Sequence, residues 1–99
     1  MAELIYYNKE ATKEGDLIER IVWKIDKSHD FPHGIKYRLV YIHNNKRILG
    51  YDNERMKGHH KHYFNKEIKC EFVSVEKLFE NFDEDVERAR VMLYGNKEN

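Results

Sequence analysis

The stretch Ile35-Lys36-Tyr37-Arg38-Leu39-Val40-Tyr41-Ile42-His43-Asn44-Asn45-Lys46-Arg47-Ile48-Leu49-Gly50-Tyr51 decides the fold. Ile35, Tyr37, Leu39 and Tyr41 fall on one side of an extended chain and Lys36 and Arg38 on the other, the two-residue period of a strand with one buried face. Asn44-Asn45 can reverse the chain because asparagine tolerates positive φ. Arg47 to Tyr51 then returns antiparallel, and the rest of the fold grows outward from this hairpin.

Toward the N-terminus, Leu17, Ile21, Trp23 and Ile25 alternate with Ile18, Arg20, Val22 and Lys24, and the first set reads as the apolar side of a strand. Ala2 to Thr12 is a weaker strand, joined to it by Lys13-Glu14-Gly15-Asp16, a stretch with the glycine and acid of a hairpin turn. Ser28 to Gly34 is a loop, rich in short polar residues and holding the single proline. Toward the C-terminus, His60 to Phe64 reads as a strand and Asn65-Lys66-Glu67 as its turn. Ile68, Cys70 and Phe72 then alternate with Lys69 and Glu71. From Val75 the period changes: Leu78, Phe79, Phe82, Val86, Ala89 and Leu93 recur at helical spacing, with Ser74 as N-cap and Glu76 in the first turn. The expected fold is α+β, one domain over residues 1–99. An antiparallel meander of five or six strands fills 2–73, one amphipathic helix at 74–94 packs on its apolar face, and the polar tail 95–99 frays.

Ninety-nine residues suit a single small core. Eighteen cations balance eighteen acids, so there is no molecule-wide basic field and any electropositive site must be local. Cys70 is the only cysteine, which excludes an internal disulfide and a cysteine-based zinc knuckle and fits a reducing compartment. No segment approaches the roughly 20 apolar residues of a membrane span, and the N-terminus lacks a signal-peptide pattern. A cytoplasmic protein without membrane contact is expected.

Tyr51 to Tyr63 gathers three of the six histidines, three cations and two acids. If this chain is extended, His60 and His62 share one face with Cα atoms about 6.6 Å apart, while His59 and Lys61 take the other. Such a pair serves metal-independent RNA cleavage, in which one imidazole takes the 2′-hydroxyl proton and the other supplies the leaving 5′-oxygen. His60 and His62 would exchange the protons, Asp52 would orient a histidine, and Lys57 and Arg55 would hold phosphate, with Lys61, Lys36 and Arg38 extending a phosphate track. The same pair could hold zinc, completed by Asp52 or by His29, His33 or His43. A third reading is a polar hairpin carrying half-exposed histidines, in which Tyr51, Tyr63, Lys57 and Lys61 bind nucleic acid or protein without catalysis. In a purely structural protein, zinc or self-association, a homodimer in the simplest case, would supplement a modest core. Spacing alone leaves all of these open.

Several segments together resemble the TumE-like toxin family of prokaryotic type II toxin-antitoxin systems: Ile35 to Val40, Leu49-Gly50-Tyr51-Asp52-Asn53, Lys57-Gly58-His59-His60-Lys61-His62, Glu71 to Leu78 and the closing helix. The most distinctive element is the run written YDN…KGHHxH. The resemblance spans nearly the whole chain and implies a small cytoplasmic toxin that acts on RNA or translation, as an endoribonuclease in the most concrete form. It also implies a cognate antitoxin that holds it inactive. Carried onto this sequence, the motif residues are Asp52, Asn53, Lys57, Gly58, His59, His60 and His62, with Tyr51 beside them.

Overall fold

The computed structural model describes residues 2–54 and 58–95. Six strands form one antiparallel sheet in sequence order: β1 (Glu3–Ala11), β2 (Leu17–Lys24), β3 (Ile35–His43), β4 (Lys46–Glu54), β5 (Gly58–Tyr63) and β6 (Lys66–Lys69). Helix α1 (Val75–Tyr94) follows and packs across β4. The expected meander with a C-terminal helix is the observed architecture. Asn44 and Asn45 both take positive φ, at 51° and 63°, the geometry of a tight hairpin turn that matches strand twist.

The core lies between the sheet and the helix. Val22, Tyr37, Leu39, Tyr41 and Leu49 from the strands meet Leu78, Phe82, Val86 and Ala89 of α1, and all are buried. The helix starts where its chemistry predicts: the Ser74 hydroxyl accepts from the Lys77 amide at 3.0 Å, satisfying a first-turn donor that has no partner within the helix. At the other end the Gly95 amide donates to the Val91 carbonyl at 2.7 Å.

Two local expectations are corrected. In β2 the buried pair is Ile18 and Val22, whereas Leu17 is 38% exposed. Arg20 misleads the sequence reading, because a charge in that set suggests solvent. Its stem instead runs over the core, with the guanidinium 5.4 Å above the Phe82 ring and bonded to Asp83 at 2.7 Å and Asn8 at 3.0 Å. The β5–β6 turn falls at Phe64-Asn65 rather than Asn65 to Glu67, with Tyr63 opposite Lys66 and Phe64 at φ 55°. Glu67 is thereby drawn into β6, and Cys70 and Phe72 leave the sheet. Phe72 stacks on His59 with ring centres 5.1 Å apart.

Candidate functional site

Strand register sorts the dense segment onto the two faces of the sheet. On β4 and β5, Asp52 lies opposite His60, Gly50 opposite His62 and Asn53 opposite His59. On β6, Lys69 lies opposite His60 and Glu67 opposite His62. Tyr51 and Lys61 face α1, since both contact Asp85 of the helix. Asp52, His60, His62 and Glu67 therefore occupy the helix-free face. Arg38 lies directly across from Asp52, so a row Arg38–Asp52–His60–Lys69 crosses four strands.

The His60 and His62 rings meet edge to face with centres 5.2 Å apart. His60 is sealed, at 2% exposure, whereas the His62 side chain is 23% exposed and its Nε2 lies 3.9 Å from Glu67. The Nδ1 of His60 sits 3.2 Å from the Gly58 carbonyl, and its Nε2 lies 2.8 Å from Asp52 Oδ1. That second contact is close but not aligned as a hydrogen bond: Oδ1 is buried and accepts none among the described residues. Gly58, at φ 70°, takes the left-handed conformation open to glycine at low cost, which starts β5 and presents the carbonyl.

The other motif residues have structural partners. Asn53 Oδ1 accepts from the Tyr37 amide at 2.9 Å and its Nδ2 donates to the Ile35 carbonyl at 2.7 Å, standing in for a strand where pairing ends. His59 Nδ1 meets the Tyr37 hydroxyl at 2.9 Å, and burial, aided by His33 and His60, holds the His59 pKa below the usual histidine range. Lys61 is turned away from the histidine pair, donating to Asp85 at 2.9 Å, and Tyr51 donates to the same carboxylate at 2.6 Å. Burial pushes the Tyr51 pKa up, and the Asp85 hydrogen bond adds to the rise. Arg38 pairs with Glu19 at 3.0 Å and Lys36 lies 5.8 Å over Trp23. Lys36 and Arg38 stand on the β3 strand, with β4 between it and the histidine strand. Arg55 and Lys57 lie outside the described residues.

Two groups at the site carry no signal in the linear sequence. Glu67 becomes a neighbour of His62 only through the position of the Phe64-Asn65 turn. Arg47 reaches the site across Gly50: a Cβ on that glycine would stand 2.9 Å from Arg47 Cδ, so the arginine stem lies over the strand position facing His62. No ion pair joins Arg47 among the described residues. A spacing of cation, glycine and histidine on neighbouring strands could have flagged it, but only with the register known.

Two histidines, the acids Asp52 and Glu67, and the stem of Arg47 thus lie together on the helix-free face of the sheet. The family described as Toxin TumE matches residues 2–90, and the chain belongs to it. It is the toxin component of a toxin-antitoxin system, which implies a cognate antitoxin as partner. No curated protein and no solved structure matched the chain. No helix among the described residues is long and apolar enough to cross a membrane.

Proposed function

We propose that this toxin cleaves RNA without a metal, through the His60–His62 pair. The reading rests on one observation: two imidazoles in edge contact, with Asp52 against one of them, on the sheet face that no helix covers. In the reaction the 2′-oxygen attacks phosphorus and its proton passes to one imidazole. The P–O5′ bond breaks, the 5′-oxygen takes a proton from the other, and a 2′,3′-cyclic phosphate and a 5′-hydroxyl result. The greater exposure of His62 assigns it the direct substrate contact. His60, backed by Asp52, holds the second proton and reaches the 5′-oxygen only once RNA binding uncovers its ring, which is 2% exposed in the free protein. Arg47, lying across Gly50 toward the same position, supplies charge for the phosphorane oxygens.

Purified toxin incubated with single-stranded RNA in EDTA tests the reading. Cleavage that disappears in His62→Ala and in a His60→Ala, His62→Ala double variant is expected. Intact RNA, or cleavage unchanged in the double variant, overturns it. Salt-dependent RNA affinity without turnover would identify a binding module in its place.

A further inference from the structure

We propose that the helix-free face also holds a divalent cation of the zinc class, ligated by His60, His62 and Glu67, and that its binding blocks the histidine pair. One nitrogen from each imidazole and one Glu67 oxygen all lie within 4.8 Å of one another. Zinc holds nitrogen at about 2.0–2.1 Å and oxygen at about 2.0–2.2 Å, so the three ligands need to close by only about an ångström around an ion. Glu67 is exposed on the edge strand β6, with a carboxylate oxygen already 3.9 Å from His62 Nε2.

Two details of His60 point to a cation as well as to a proton. The Gly58 carbonyl lies against Nδ1 and so favours the tautomer that carries its hydrogen there, leaving a lone pair on Nε2, a common way for proteins to orient a metal-binding histidine. Nε2 then lies 2.8 Å from Asp52 Oδ1, off the line of a hydrogen bond, and the oxygen accepts none among the described residues. Two acceptors this close repel unless something positive lies beside both. A proton on Nε2 does this in the cleaving form, and a metal ion at the pair does it in the other. Asp52 thus places negative charge behind the site, and three protein ligands leave a coordination position open toward solvent.

Because the nitrogens that ligate the ion are those that would move protons, occupancy and metal-free cleavage exclude one another. The inhibitory part of this proposal rests on the ribonuclease reading; the binding part does not. Zinc titration of the full chain, by calorimetry and by competition with a chromogenic chelator, separates them. One ion per chain with a dissociation constant on the order of micromolar is expected. Glu67→Gln should weaken it about tenfold and His62→Ala about a hundredfold, with His29→Ala unchanged. Zinc should also raise the melting temperature of the wild type and leave that of His62→Ala unmoved, a reading that needs no activity. Absence of binding, or binding indifferent to both Glu67→Gln and His62→Ala, overturns the site. If RNA is cleaved in EDTA, zinc buffered near the wild-type dissociation constant should suppress cleavage in the wild type and much less in Glu67→Gln. Stimulation by zinc would overturn the block while leaving the ligands in place. If no cleavage occurs at all, the titration still decides the site by itself.

Discussion

Glycine in the middle of a strand is unfavourable, by roughly 0.5–1 kcal/mol relative to alanine, yet Gly50 sits between Leu49 and Tyr51 in the buried centre of β4. The space above it belongs to Arg47. Gly50→Ala should therefore leave the fold intact but push the arginine aside, lowering RNA affinity and flattening its salt dependence as Arg47→Ala does. Unchanged binding in both variants would remove Arg47 from the site. For the histidines, His62→Ala should reduce cleavage by about a hundredfold or more, measured as single-turnover rate in EDTA, and should leave stability nearly unchanged because the side chain is partly exposed. His60, sealed beside Asp52, is the position where loss of function and loss of stability will coincide.

At the scale of elements, the contact between α1 and the sheet centres on a buried carboxylate. Asp85 accepts from Tyr51 and from Lys61 and lies 3.1 Å from Arg88. Burial alone would raise its pKa, but Lys61, Tyr51 and Arg88 outweigh it and the value falls below the usual aspartate range. A carboxyl depressed in the folded state stabilises above its unfolded pKa, about 3.9, and loses that contribution as pH falls through the lower folded value. The stability difference between wild type and Asp85→Asn should be full at pH 6, about 2 kcal/mol, and should shrink toward pH 3 in chemical denaturation. A difference constant with pH would contradict this account. The edge strand β1 shows a second element-level feature. Leu4, Ile5, Tyr6 and Tyr7 are 41–56% exposed on a strand whose outer backbone edge faces no partner in this sheet, the arrangement that invites association. Self-association through β1 is expected in analytical ultracentrifugation, and Ile5→Lys should lower it without lowering the melting temperature. Elements were also where the sequence spoke most clearly. The Asn-Asn turn, the Ser74 cap and the helical period of Leu78, Phe82, Val86 and Ala89 are local signals. The face of β2 was not, because Arg20 hides an apolar stem behind its charge.

At the scale of the molecule, Asp16 joins three distant segments. From the β1–β2 turn it meets Tyr41 at 2.6 Å and His43 at 2.8 Å near the end of β3, and Tyr94 at 2.7 Å in the last turn of α1. The Asp16 hydrogen bond, with burial behind it, pushes the Tyr94 pKa up to about 12. Asp16→Asn should destabilise the whole domain by about 2 kcal/mol, read as a lower melting temperature with one cooperative transition. Tyr94→Phe should cost about 1 kcal/mol. A selective loosening of α1 with an unchanged sheet would show that the network is local instead.

By itself the sequence determined that strands and a helix form, where most of them turn, and that His60 and His62 share a face opposite Lys61, because side-chain periodicity and turn chemistry act over a few residues. The apolar side of β3 also marked the face that the helix takes, but only the tertiary structure decided which side of β2 meets it. It also decided that Glu67 faces His62, that Arg47 lies over Gly50, and that Lys61 and Tyr51 serve Asp85 rather than a phosphate. These depend on register between strands. A single-residue difference in the position of a turn moves every side chain to the opposite face, and no local pattern specifies that register until the core has chosen its side.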